Sequence, residues 1–397
     1  MPPAPDRPLL RLNDGQGRRL RGGTPWAFSN EIAMRPEYRQ MPAGSLVRIE
    51  GADSWRYGTF MFNPHSLIAA RLLDRDPNAI IDTAWLSARL EAAIDLRARV
   101  CDTPFHRLVH AEADRLPGLV IDRYDDVLVL QANTAGMDRL TPGIVDALVA
   151  LLHPRAIVAR NDTSSRRLEN LPDEVSLLYG KDATATVREG GVTFPIDPLA
   201  GQKTGWFFDQ RDNRDAVAAL APGARVLDVF SHTGAFALRC AAAGATEVTL
   251  VDSSAPALDQ ATRAARQNGL GDRIRIRRGD AFETMTALAA EGQSYDIVVC
   301  DPPAFAKSRK DQDAGLRAYG KMANLSAKLV ARNGFLFAAS CSHHAPLDQF
   351  ATQIAYGIYK ARREARILHT GGAGADHPVH PHLPETAYLK SQLFQLS

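Results

Sequence analysis

Three short apolar runs and one strand-like stretch, each leading to an acid, constrain this chain more than any other feature. Val226 to Val229 carries Asp228 and opens into a loop with one glycine, Gly234, ahead of an Ala-rich helix. About twenty residues on, the run TLVD ends at Asp252, where an acid can take the two ribose hydroxyls of an adenosine. Asp280 closes the strand-like stretch Ile274 to Gly279, and Ile297 to Cys300 runs into Asp301-Pro302-Pro303, whose prolines turn the chain away from a sheet. Continuous apolar runs of this length read as buried parallel strands, and their alternation with helical segments predicts an α/β domain. The acids then share one sheet edge, the arrangement of a nucleotide-type cofactor site.

The loop after Val229 lacks the Gly-rich fingerprint that lets a backbone approach a pyrophosphate. A cofactor without phosphate needs no such loop, which favours S-adenosylmethionine over a dinucleotide and predicts a methyltransferase. Any one of these acids alone also reads as a helix cap. Four in register, with Asp-Pro-Pro-Ala-Phe at the fourth, are specific.

The 397 residues, 45% hydrophobic, predict two or three domains with sizeable cores. No apolar run approaches a membrane span and the N-terminus lacks a secretory signal's apolar centre, so cytoplasmic residence is expected. Cys101, Cys240, Cys300 and Cys341 lack paired spacing, which indicates neither a disulfide framework nor a zinc ribbon. The net charge is only +2, yet five arginines against the single acid Asp14 fall between Arg7 and Arg21, and no lysine precedes Lys181. An arginine surface there, with Arg18, Arg19 and Arg21, matches phosphate oxygens and points to RNA, although a solvated charged face is the bland alternative.

Three blocks are expected. Residues 1–72 carry the β-like stretches LLRLN, SLVRIE and YGTFMFN, as in a small barrel. Residues 73–185 open with a helix capped by Asp82 and Thr83, with Leu86, Leu90 and Ile94 on one face, followed by the hairpin GLVIDRY/VLVLQAN turning at Asp125-Asp126. Residues 186–397 form the catalytic α/β domain.

The reactive chemistry is expected at FLFAASCSHH, residues 335–344, where an apolar strand delivers Cys341 to a polar edge. Carbon 5 of a pyrimidine is a poor nucleophile until a thiolate adds at carbon 6, which is why a methyltransferase would use a cysteine. Asp301 then hydrogen-bonds the ring at nitrogen 3. Cys300 should face the core, opposite Asp301, and Cys240 should pack within its helix. The base that takes the carbon 5 proton is not identifiable.

The segments TPWAFSNEI, AEADRLPGLVIDRYDD, GQKTGWFFDQRDNR, DVFSHTGAF, DPPAFAKS, SCSHH and DHPVHPHLPETAYLK extend over nearly the whole chain. In them the sequence resembles class I S-adenosylmethionine-dependent RNA 5-methylcytidine methyltransferases of the bacterial large-subunit rRNA methyltransferase I family. The resemblance implies an N-terminal RNA-binding PUA domain, a central β-rich α+β domain and a Rossmann-like catalytic domain, acting on 23S rRNA or a large-subunit precursor. It implies that Asp228 with the following loop (Phe230, Thr233, Gly234) holds the methionine portion of the cofactor. Asp252 and Ser253 would take the ribose, Asp280 and Ala281 would border the adenine, and Asp301 would touch both cofactor and base. The segment Gln202 to Arg211 looks like cofactor and substrate lining, with Asp209, Gln210 and Arg211 as its polar contacts; a strand and helix cap leading into the sheet is the equal alternative. Cys341 aligns with the family's catalytic thiol, while Asp301-Pro302-Pro303 stands where other RNA 5-methylcytidine enzymes keep a second cysteine.

Arg115 and Asp126 stand where glycines are more usual in this family, at a cost in turn freedom. The stretch Asp376, His377, His380, His382, Glu385 is broken by prolines and reads as a loop with imidazoles such as His377 touching RNA rather than as a metal site. Phe305, Trp206 and Phe207 could stack on a base, and Trp26 and Lys307 are further candidate RNA contacts. The rival enzymatic reading is a guanine N2 or other exocyclic-amine methyltransferase, and a non-catalytic RNA-binding assembly protein retaining the cofactor pocket is a rival of another class. Whether the chain pairs as a homodimer is left open by the sequence.

Overall fold

A computed structural model describes residues 6–201 and 204–397. Gln202 and Lys203, which begin the expected lining segment, lie outside the described residues. The chain divides into two compact units, the first drawn from Met1–Ala185, Ile196–Trp206 and Ala375–Thr386, the second from Thr186–Pro195, Phe207–Gly374 and Ala387–Ser397. Among the described residues no helix is long and apolar enough to cross a membrane.

The first unit holds two five-stranded sheets. One runs in the order Leu9–Arg11, Ser45–Glu50, Arg56–Phe62, Ala70–Asp74, Trp26–Ala27. Val47 and Ile49 alternate with more polar neighbours, as do Phe60 and Phe62 by register, and all four enter one core with Leu10 and Leu20. The other sheet runs Glu174–Gly180, Ala156–Asn161, Val127–Ala132, Leu119–Tyr124, Phe105–His110. Its central hairpin turns where the two acids stand, with Asp125 in the left-handed region at φ 61°. Helices Thr83–Val100 and Ala135–Leu152 bury Leu86, Leu90, Ile144 and Leu148 with Leu128 and Leu130 of that sheet. The N-cap is the expected one, the Trp85 N–H donating to Asp82 Oδ1 at 2.9 Å.

The second unit is built on a seven-stranded sheet: β1 (Arg225–Val229), β2 (Glu247–Asp252), β3 (Ile274–Arg278), β4 (Tyr295–Cys300), β5 (Val330–Ser340), β6 (Ala365–Gly371) and β7 (Lys390–Leu396). The order is β3-β2-β1-β4-β5-β7-β6, with β1 to β5 parallel and β7 antiparallel to both its neighbours. The inner strands β1, β2 and β4 are buried on both faces, which is why their runs read as mainly apolar, whereas the edge strands β3 and β6 are largely exposed. Leu227, Val229, Val298 and Cys300 enter one core, while Val226, Ile297 and Val299 enter the other. The period of two thus places Cys300 in the core, as expected of it. The chain builds outward from β1 to β3 and then crosses back to β4, so the order reverses between β1 and β4. In open α/β sheets that switch point leaves a crevice at the carboxyl ends of the strands.

Candidate active site

Beyond β1 the chain enters a tight loop, Phe230 to Gly234. Phe230 and His232 hold left-handed φ values of 63° and 48°, and Gly234 follows at 76°. Glycine freedom is needed at the last position, since a Cβ there would meet Leu250 Cδ2 at 2.9 Å. The two bulky residues adopt the same region at a cost of about 1–3 kcal/mol each, and such strain persists only where surrounding bonds over-determine it. Those bonds come from the acids. His232 N–H donates to Asp252 Oδ2 at 2.8 Å, Ser254 N–H to Asp252 Oδ1 at 2.8 Å, and Ala237 N–H to Asp228 Oδ2 at 3.0 Å.

Asp228 is 1% exposed. Burial pushes its carboxyl well above the ordinary carboxylate range, and the charges of Asp301 and Asp252 push the same way, against the bond from Ala237. Asp280 sits two residues past β3, exposed, and caps the helix Ala281–Ala290 by accepting from Phe282 N–H at 2.9 Å and Glu283 N–H at 3.1 Å. Ala281 is buried and Ser253 exposed beside Asp252, while Thr233 is half-buried in the loop. Phe230, Phe282 and Phe305 form a ring cluster with centroids 6.0–6.3 Å apart, and Phe305 lies 4.8 Å from Tyr319.

Cys341 follows directly on the end of β5 and is partly exposed. Its flanking serines are buried and joined through one phenol. Ser340 Oγ donates to Tyr319 Oη at 2.8 Å, Tyr319 Oη shares a 2.8 Å bond with Ser342 Oγ, and Ser342 N–H returns to Ser340 Oγ at 3.2 Å. Ala306 N–H, on the Asp301-Pro302-Pro303 loop, also donates to Ser342 Oγ at 3.1 Å, so the two loops are tied together. Lys390, paired with Ser340 in the β5–β7 register, donates from Nζ to Ser342 O at 2.7 Å and Ala345 O at 2.8 Å. Burial lowers the Lys390 pKa, while Cys341 acts to raise it. Tyr319 and Lys390 were missed from sequence; Lys390 ends the quoted TAYLK segment, and no local pattern reveals its bond to a loop 48 residues away.

Asp209 is 8% exposed, with Oδ2 accepting from Tyr388 Oη at 2.6 Å. Gln210 Oε1 accepts from Asn213 Nδ2 at 2.6 Å. Arg211 lies 3.8 Å from Glu189 Oε2 and 5.4 Å over the Phe208 ring. Glu189 also binds the fully buried Arg214, whose positive charge acts on Asp209 and Asp301.

Residues 170–395 match the model of the S-adenosylmethionine-dependent methyltransferase family, and residues 10–75 match that of the PUA-like domain. The chain is 33% identical over 391 residues to ribosomal RNA large subunit methyltransferase I of Shewanella frigidimarina, covering 96% of this chain and 97% of that one. It is also 33% identical over 408 residues to a ribosomal RNA large subunit methyltransferase of Deinococcus radiodurans, covering 99% of each. The chain belongs to the large-subunit ribosomal RNA methyltransferase family. The methyltransferase shares its fold with a solved Streptococcus mutans protein described as SAM-dependent, at TM-score 0.82 and 21% identity, covering 98% of this chain and all of that one. A methyltransferase solved in complex with SAH gives TM-score 0.83 at 20% identity over the same shares.

The cofactor of the methyltransferase is S-adenosylmethionine, and the residues present fit it. The molecule carries a sulfonium and an ammonium beside its carboxylate, and a cation bound near Asp228, Asp252 and Asp301 would offset the mutual repulsion of these acids. Among the described residues Asp209 Oδ1 and Ser231 Oγ are buried polar atoms without a hydrogen-bond partner, as befits groups that face a polar ligand.

The residues expected on RNA are dispersed. Arg18, Arg19 and Arg21 lie exposed on the short helix Arg18–Arg21; Arg19 lies 3.7 Å from Glu31 and over Phe28, and Arg21 pairs with Asp53. Trp26 Nε1 donates to Glu112 at 2.8 Å. Lys307 is exposed in the second unit. His377 is 4% exposed, bonded through Nδ1 to Asp376 Oδ1 at 2.8 Å and lying 5.0 Å from the His110 ring, so its imidazole is committed inside the first unit. Trp206 is 5% exposed. Among the described residues no group of three or more His, Cys, Asp or Glu is placed to hold a metal ion.

Proposed function

We propose that this methyltransferase modifies carbon 5 of a cytidine in large-subunit rRNA, 23S rRNA or its precursor, through a covalent adduct at Cys341. The observation that carries the reading is the setting of that thiol: partly exposed at the carboxyl end of β5, held between two serines clamped by Tyr319, beside the buried Lys390. The Cys341 Sγ attacks carbon 6, the ring's C5–C6 electron pair moves to carbon 5, and the new nucleophile takes the methyl group. S-adenosylmethionine supplies that group as an electrophilic methyl on sulfur. Asp301, next to the same loop, hydrogen-bonds ring nitrogen 3. Loss of the carbon 5 proton to a base then expels the thiolate and restores the aromatic ring.

Asp228, Asp252, Ser253, Asp280, Ala281, Phe230, Thr233, Gly234, Asp209, Gln210 and Arg211 are proposed to hold the cofactor. Arg18, Arg19, Arg21, Trp26, Phe305 and Lys307 are proposed RNA contacts, with the strands of residues 1–72 acting as the RNA-binding module.

Nucleoside mass spectrometry of rRNA from cells lacking the gene, complemented with intact protein or Cys341→Ala, tests this. Loss of one 5-methylcytidine restored only by the intact protein is the expected result. A missing methylguanosine restored equally by the alanine form would sink the thiol mechanism and favour exocyclic-amine methylation.

A further inference from the structure

A cavity of about 520 Å³ in the first unit is walled by Gly23, Arg75, Glu112, Arg115, His380 and His382, with Asp74 and Arg89 beside them. Its two acids are already satisfied. Asp74 Oδ2 accepts from Arg89 and from Trp85 Nε1, at 2.8 and 2.9 Å, and Glu112 Oε1 accepts from Arg71 and Trp26, both at 2.8 Å. Two of its arginines are not. Among the described residues Arg75 donates only to the carbonyls of Leu20 and Gly23 and forms no ion pair, and Arg115 is exposed with no ion pair. Burial lowers the His380 pKa, and the neighbouring His382 and Arg75 lower it further, against the opposing pull of Glu112.

Arg115 is also in a conformation an arginine rarely adopts. It terminates the turn Ala111–Asp114 at φ 59°, ψ 28°, a left-handed position that glycine fills without strain. Nothing about its backbone calls for a long cationic side chain, so the side chain is what the strain retains. The His382 ring lies against the Gly23 backbone, where a Cβ would meet Nε2 at 2.4 Å. Gly23 is two residues past the Arg18–Arg21 helix, so the exposed arginines of that helix lead directly to the cavity wall.

We propose that this cavity binds a phosphodiester of the RNA substrate, with Arg115 as its principal cation, Arg75 behind it and the two imidazoles as further donors. An arginine fork matches two phosphate oxygens, and a strand tracked by the Arg18–Arg21 helix arrives here with its backbone inward. The proposal rests on the reading that RNA is the substrate, and it adds a contact outside the N-terminal sheet.

The test compares the full-length protein with Arg115→Gly, by fluorescence anisotropy with a short labelled single-stranded RNA over a salt titration, alongside thermal melting and binding of inorganic phosphate. Arg115→Gly is expected to weaken RNA binding several-fold. The slope of log affinity against log salt should shrink by about 0.7, the value for one phosphate contact on a single strand. The melting temperature should hold or rise, since the left-handed strain is relieved. Unchanged affinity and salt slope in a variant of normal stability would overturn the proposal. Lost phosphate binding with RNA binding intact would overturn it too, and would assign the cavity to a free anion. If the intact protein bound no RNA, the functional reading itself would fall; if it bound and methylated RNA and the variant did the same equally well, only this site would.

Discussion

Three of this protein's cysteines illustrate how position decides thiol chemistry. Burial pushes the Cys300 thiol up to about 12 and pushes Cys240 higher still, so both are inert packing groups. Cys341, one residue past β5, escapes the core and acquires Lys390 as a neighbour. Burial of Lys390 to 7% exposure works against its charge, and Cys341 works in favour of it. Replacing Lys390 by Met is therefore expected to slow alkylation of Cys341 by iodoacetamide at neutral pH by about tenfold, which corresponds to ~1.4 kcal/mol. The partly exposed Cys101 serves as internal reference in the same digest and should react as before. An unchanged Cys341 rate in the folded variant would remove Lys390 from the mechanism.

Between elements, the strand Phe105–His110 and the segment Ala375–Thr386 are joined by buried charge. Arg97 donates from Nη1 to Asp114 Oδ1 at 2.5 Å and from Nη2 to Asp376 O at 2.9 Å, while Arg107 N–H donates to Asp376 Oδ2 at 3.0 Å. His110 is caught among these groups. Burial, with Arg107, His377 and Arg97, pushes its pKa from 6.5 down to about 2, against Asp376. The unfolded chain therefore binds a proton that the folded one refuses. Stability from this source is complete above about pH 6.5 and falls by up to ~1.4 kcal/mol per pH unit as pH drops toward 2. Urea denaturation at pH 7.5, 6 and 5 should show a steeper acid loss in the intact protein than in His110→Asn. Parallel slopes would mean that His110 is protonated in the folded state.

For the whole molecule, the two compact units predict that cofactor effects are not uniform. The residues assigned to S-adenosylmethionine all lie in Phe207–Gly374, so its binding should protect amides of β1, β2 and their following loops. At one hundred times the dissociation constant the stabilisation is about 2.7 kcal/mol if it reaches global unfolding. Hydrogen exchange with and without S-adenosylmethionine measures this, and protection confined to Phe105–His110 would contradict the assignment. Much of this second unit was legible in the sequence. The runs at Val226, Thr249, Ile274 and Ile297 are strands as read: the three inner ones are mainly apolar because both their faces are buried, while the strand at Ile274 is an exposed edge whose isoleucines alternate with arginines. The conformation of the loop after β1 was not legible in the same way: Phe230 and His232 share the left-handed region, and His232 is bonded to Asp252 on the neighbouring strand. Nor does local pattern place residues 375–386 in the first unit; its prolines say only that the segment is extended.

What the sequence determined by itself is therefore the set of elements and the register of acids and thiol at their ends, since periodicity and composition report directly which faces leave water. The tertiary structure alone decided which side chains meet: Tyr319 closing the two serines around Cys341, Lys390 beneath them, His377 buried on Asp376, and Arg115 at the mouth of a cationic cavity. Apart from the adjacent His377 and Asp376, these are meetings of segments tens to hundreds of residues apart. They exist only once packing of the apolar faces has brought those segments together, because a hydrogen bond or ion pair leaves no periodic trace along the chain that forms it.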